Sequence, residues 1–105
     1  MGIVIGTNEP ETVWNAFRFG NVALKAGHET RVFLLGKGVE IEEIRDDKFD
    51  VKAQVDSLLG GGGRILACGA CMKSRHKEGN AVCPISTMSD LLKLVEESDK
   101  ILTLG

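Results

Sequence analysis

Ile3-Val4-Ile5-Gly6-Thr7-Asn8-Glu9-Pro10-Glu11 is the stretch that decides how the chain is read. Three successive apolar residues ending at a glycine predict a short strand buried on both faces. Asn8 and Glu11, three apart with Pro10 between them, predict an N-cap and a capping box at the start of a helix. Val13, Ala16, Phe17, Gly20 and Leu24 then recur at helical spacing, which places the helix over 10–26 with Gly27 ending it in a left-handed conformation. A buried strand leading directly into an amphipathic helix is the opening unit of an α/β fold.

The unit repeats outward along the chain. Residues 31–35, with Val-Phe-Leu-Leu at their centre, predict a second strand, left through Gly36-Lys37-Gly38 into a short helix over 39–45. Val51, Val55, Leu58 and Leu59 form the stripe of another helix, closed by the four glycines at 60–63. Those glycines precede a strand and no Gly-Lys-Ser/Thr follows them, so they read as a helix end and not as a phosphate loop. A third strand is expected over 64–67, a turn and short helix over 68–77, and a short fourth strand over 83–85. Ser86 or Thr87 then caps a helix carrying Met88, Leu91, Leu92 and Val95 on one face, and 100–104 closes the chain as a fifth strand. Alternating strands and helices imply a three-layer α/β/α domain spanning residues 1–105 around a five-stranded, mostly parallel sheet. The expected strand order is the flavodoxin-like 2-1-3-4-5, with the site at the carboxyl ends of the strands.

Composition narrows the function classes. The chain has 105 residues, 13 Lys+Arg against 15 Asp+Glu, and 43% hydrophobic residues. The balance of −2 leaves no basic footprint for nucleic acid, and no Lys/Arg block suggests a membrane surface. No apolar run reaches a membrane span and the first residues do not read as a secretory signal, so the expectation is a cytoplasmic protein. Three cysteines, an odd number, argue against a disulfide-stapled secreted scaffold.

Chemistry concentrates in Cys68-Gly69-Ala70-Cys71, directly after the third strand. A thiol at a strand end and helix start meets backbone N–H groups that favour thiolate, and Lys73, Arg75 and Lys77 add positive potential. The plainer alternative is that small residues allow a tight strand-to-helix turn around inert thiols. Cys68, Cys71, His76 and Cys83 have a spacing superficially like a zinc knuckle, although Cys68 ends a buried strand where knuckle ligands sit on turns. A thioredoxin-type dithiol is the other competitor, against which stands the motif's place after the third strand. Asn8 near the first strand's end and Lys37 in the glycine turn lie on the same expected edge as Cys68. His28, after the Gly27 cap, reads as structural.

These residues resemble the DsrE/DsrF-like family, the sulfur-relay group that includes TusD-type subunits. The resemblance rests on Asn8-Glu9-Pro10-Glu11 opening a helix, Gly27-His28-Glu29-Thr30-Arg31-Val32-Phe33-Leu34 entering the second strand, Gly38-Val39 after it, and Cys68-Gly69-Ala70-Cys71-Met72-Lys73-Ser74-Arg75. It implies a persulfide carrier at Cys68, with Cys71 the second cysteine of a Cys-Gly-x-Cys subgroup and Arg75 the arginine that a glycine usually follows; here His76 stands in that glycine's place. The expectation is therefore a small sulfur-carrier protein, a candidate sulfurtransferase, with Cys68, Cys71 and Arg75 catalytic and Asn8, Gly69 and Lys37 binding the substrate. No metal or cofactor is expected. Partners would be sulfur donor and acceptor proteins and further copies of the chain in a trimer or hexamer, with no nucleic acid or membrane. The alternatives are a non-catalytic oligomeric binding subunit with a Cys/His zinc site, and a dithiol redox protein using Cys68 and Cys71.

Overall fold

In the computed structural model, which describes residues 1–105, the apolar runs become the middle of a sheet. Strand β1 (Gly2–Ile5) and strand β2 (Arg31–Leu34) carry Ile3, Ile5, Val32, Phe33 and Leu34, all fully buried. Helix α1 (Pro10–Lys25) joins them. Its N-cap is Glu9, whose carboxylate accepts the Glu11 and Thr12 N–H groups, and not Asn8 as the sequence suggests. A 3₁₀ helix (Gly36–Glu43) replaces the expected turn and short helix after β2. Helix α2 (Val51–Gly60), strand β3 (Arg64–Cys68), helix α3 (Gly69–Ser74), strand β4 (Ile85–Ser86), helix α4 (Met88–Glu97) and strand β5 (Ile101–Leu104) complete the chain. No helix is long and apolar enough to cross a membrane.

Three helices stop in the same way. After α1, α2 and α3 the N–H groups two and three residues past the last helical turn bond back to carbonyls of that turn: Gly27 to Leu24 and His28 to Ala23, Gly62 to Leu59 and Gly63 to Leu58, His76 to Lys73 and Lys77 to Met72. This closure needs a left-handed residue at its pivot. Gly27 and Gly62 supply it at φ 91° and 92°, and His76 adopts it at 54° as the chain's only non-glycine residue of positive φ. The histidine thus takes over the glycine's conformation, and α3 ends in the standard way despite the substitution.

All five strands are parallel, in the order β4-β3-β2-β1-β5. The α/β sandwich is as expected, but the 2-1-3-4-5 order is not. That order would leave β2 on an edge, whereas β2 takes the central place, with Val32, Phe33 and Leu34 fully buried. The consequence for function is direct: the ends of β2 and β3 are neighbours, and β1 does not separate them.

Strand alternation sets the two faces. Ile3 meets Gly20 of α1, which also packs on Leu58 of α2, so α1 and α2 cover one face. Gly2 points the other way, against Leu94 and Ser98 at the end of α4. Thr87 and Asp90 close a capping box at the start of α4. Leu94 takes the core contact, while Met88, Leu92 and Val95 of the expected stripe turn outward, Leu92 being 58% exposed. Ile101 and Leu102 of the edge strand β5 are partly exposed as well.

Candidate functional site

Cys68 is the last residue of β3, in register with Ser86 of β4, and is only 3% exposed. Its position at the strand end is the expected one; its ionisation is not. Burial pushes the Cys68 thiol up, and a hydrogen bond shared with the Cys71 side chain pushes it further. The N–H groups of Ala70 and Cys71 favour the thiolate, yet neither closes a full cap bond to the sulfur, and α3 is only six residues long. Desolvation therefore wins over the short helix.

Cys71 lies one turn into α3 and is half-buried. Its Sγ accepts the Gly36 N–H at 3.2 Å. Three influences hold its thiol below the usual range against the opposing effect of burial: the hydrogen bond from Cys68, the Gly36 N–H, and the positive charge of Arg75. Gly36 can point its N–H at the sulfur because it sits in the left-handed region, φ 52°, at the turn from β2 into the 3₁₀ helix. Two residues on, Gly38 brings that helix against the Ile5 carbonyl, where no side chain fits. The glycines of Gly36-Lys37-Gly38 thus shape the seat of a sulfur atom.

Around this pair the 3₁₀ helix and the segment after α3 are stitched together. Glu40 accepts Arg75 Nε at 2.6 Å and Asn8 Nδ2 at 2.9 Å, and these two bonds hold its carboxyl below the ordinary range. Arg75 Nη1 donates in turn to the Cys71 carbonyl at 3.1 Å. Lys77 reaches Glu43 and Asn80 reaches Glu42, each at 2.9 Å. One carboxylate consequently links the exits of β1, β2 and β3. Cys83 is buried nearby, its thiol pushed up to about 12 by burial and by Glu42.

The expected site residues divide into groups. Cys68, Cys71 and Arg75 come together, and Asn8 joins them through Glu40. Lys37 is exposed on the same edge, next to Gly36. Gly69 is explained by packing, since a Cβ there would stand 3.0 Å from Ile85 Cγ2 and 3.1 Å from the Ser86 carbonyl. Cys68, Cys71, His76 and Cys83 do not gather into a group able to hold a metal ion. Glu40 and the Gly36 N–H are the contributors that the sequence did not reveal; the partners of both lie 35 positions away.

The larger clefts lie elsewhere, including one of about 250 Å³ between the 3₁₀ helix and α2, and Cys71 stays half-buried at the strand-end edge of the sheet. Comparison with known proteins bears on what that edge does. Residues 1–104 match the DsrE/DsrF-like family. An uncharacterised protein of Methanocaldococcus jannaschii is 33% identical over 109 residues, covering 95% of this chain and 96% of its own. Another, from Methanopyrus kandleri, is 30% identical over 98 residues, covering 88% and 81%. A conserved protein of unknown function from Bacteroides thetaiotaomicron superimposes with a TM-score of 0.73 at 19% identity, over 98% of this chain and 94% of that one, a likeness of fold.

Proposed function

Because the chain belongs to the DsrE/DsrF-like family, which is associated with sulfur relay, we propose that it is a small sulfur carrier. In this reading it holds sulfane sulfur as a persulfide on the Cys68–Cys71 pair and passes it to a partner thiol. The observation that carries the reading is a half-buried cysteine sulfur seated on a backbone N–H, with a second thiol three residues before it and an arginine alongside. That is the kind of microenvironment that favours the thiolate over the thiol. The step is an exchange at sulfur. The thiolate attacks the outer sulfur of a donor persulfide R–S–SH, the new S–S bond forms as the donor's S–S bond breaks, and the electron pair leaves on the donor thiolate R–S⁻. The proton stays on the transferred sulfur, nothing is oxidised or reduced overall, and release to an acceptor thiolate is the same step in reverse.

A strand-end edge suits a sulfur atom carried on another protein, so the donor and acceptor are read as proteins, with Lys37 and Arg75 steering an anionic donor surface. A reducing cytoplasm keeps the pair as thiols. Self-assembly into a trimer or hexamer is supported by the outward stripe Met88, Leu92 and Val95 beside exposed β5. The contact between the two thiols also favours a second reading, a dithiol redox protein that cycles between the dithiol and a Cys68–Cys71 disulfide. Intact-mass spectrometry after incubation with glutathione persulfide tests the carrier reading. Wild type should gain sulfur and the double variant Cys68→Ala/Cys71→Ser should gain none; equal gain by both removes the assignment.

A further inference from the structure

We propose that Cys71 is the thiol that takes up the sulfur, and that Cys68 is a buried positioning thiol behind it. This rests on the carrier reading above and reverses the order that the motif's resemblance implies. Access, a built seat and charge placement all favour it.

Access separates the two thiols first. Cys68 is 3% exposed at the end of β3, paired to Ser86 of β4 and with Ile85 and Ser86 packed against the glycine that follows it, whereas Cys71 is only half-buried on the first turn of α3. A donor persulfide must bring its outer sulfur into bonding contact with the attacking atom, and only Cys71 allows that without opening the sheet. The seat belongs to the same residue. The Gly36 N–H points at the Cys71 sulfur at 3.2 Å, and the neighbouring Gly38 is forced to be glycine by the Ile5 backbone. A backbone donor costs nothing to reorganise when charge appears on the sulfur.

Charge is placed to match. Arg75 is tied by Glu40 and by the Cys71 carbonyl, which fixes its guanidinium beside α3 and next to Cys71. Its Coulomb influence falls on the Cys71 thiol. Burial raises the Cys68 thiol while the Gly36 N–H and Arg75 favour charge on Cys71, so Cys68 is the thiol that keeps its proton. With sulfur aboard, Cys71–S–SH has its outer sulfur toward solvent, where an acceptor reaches it, and Cys68 stays behind the inner sulfur.

Limited alkylation of the wild-type protein with iodoacetamide at neutral pH, read by peptide sequencing in the mass spectrometer, decides the order. Cys71 should be labelled at least tenfold faster than Cys68, with Cys83 unlabelled until the protein unfolds; Cys68 labelled first or equally fast overturns the assignment. Loading with glutathione persulfide gives the second readout. Cys68→Ala should retain sulfur loading, mapped to Cys71, with its pH–rate profile for alkylation moved upward by loss of the Cys68 donor. Cys71→Ser should lose loading at least tenfold. Loading retained by Cys71→Ser and lost by Cys68→Ala overturns the proposal. Absence of any sulfur gain in wild type contradicts the carrier reading instead, and the alkylation order then decides by itself which thiol is the nucleophile.

Discussion

Replacing Gly38 by alanine sets a methyl group against the carbonyl of Ile5 on β1. The added Cβ overlaps the Ile5 oxygen and falls 3.0 Å from the Ile5 carbonyl carbon and 3.6 Å from the Gly6 nitrogen. Those atoms cannot move aside, because β1 is paired on one side to β2 and on the other to β5. The 3₁₀ helix has to shift instead. Overpacking a tight site costs about 1–3 kcal/mol, and an unyielding backbone neighbour puts Gly38→Ala in the upper half of that range. For a domain near 100 residues, each kcal/mol lowers the melting temperature by roughly 4–8 °C, so a loss on the order of 10 °C is expected. In urea, where the slope is about 1–3 kcal/mol per molar, the midpoint should fall by about 1 M. Gly60→Ala is the matched control: it lies at the end of α2 with no atom within 4 Å of the new Cβ, and it should gain up to about 1 kcal/mol of helix propensity. Because Gly36 lies two residues before Gly38, the same shift withdraws its N–H from the Cys71 sulfur, and iodoacetamide labelling of Cys71 should slow alongside the lost stability. A Gly38→Ala protein as stable as wild type, with Cys71 equally reactive, refutes the close approach and the seat built on it.

Three further outcomes are expected from the same geometry. The Glu40 carboxyl is held below its ordinary value of 4.5 by Arg75 and Asn8, so its ionised form stabilises the folded state fully above that pH and the contribution is lost as pH falls through the lower folded value. Glu40→Gln should therefore be less stable than wild type at neutral pH, with the gap closing in acid; a gap that stays constant down to about pH 3 contradicts the linkage. Thr87→Ala removes the capping box of α4 and should cost about 1 kcal/mol in urea unfolding, an unchanged midpoint being the contrary result. Leu92→Glu, on the outward stripe, should leave the folded chain's secondary structure intact and shift the native mass toward the single chain; an assembly that survives it does not use this face.

Local pattern carried the element order because it is written in neighbouring residues. The apolar runs, the caps at Thr87 and Gly27, and the glycine end of α2 all act within a few positions. Strand order is different in kind. It depends on which way each crossover travels, and the similar apolar runs of β1, β2 and β3 do not say which strand is central. The α4 stripe shows the same boundary: spacing tells that Met88, Leu92 and Val95 share a face, but not that Leu94 takes the core instead.

At the site, the sequence located the thiols and, through the resemblance, put Cys68 first. A strand end beside basic residues reads as an activating environment, yet whether desolvation or a donor N–H prevails depends on packing from β2, β4 and the 3₁₀ helix. Glu40 was silent for the same reason, since its partners are Asn8 and Arg75, 32 and 35 residues away. The likeness of the Cys-Gly-Ala-Cys segment pointed to sulfur chemistry, and the fold shifts its two thiols in opposite directions.

The most direct test of the carrier account is a single-turnover discharge. The protein is loaded with sulfur from glutathione persulfide, freed of donor, and mixed with a stoichiometric thiol acceptor while both masses are followed. The account predicts that the acceptor gains the sulfur as the protein returns to its starting mass with both thiols free. Release of the sulfur as sulfide, leaving a Cys68–Cys71 disulfide and an unmodified acceptor, would contradict it.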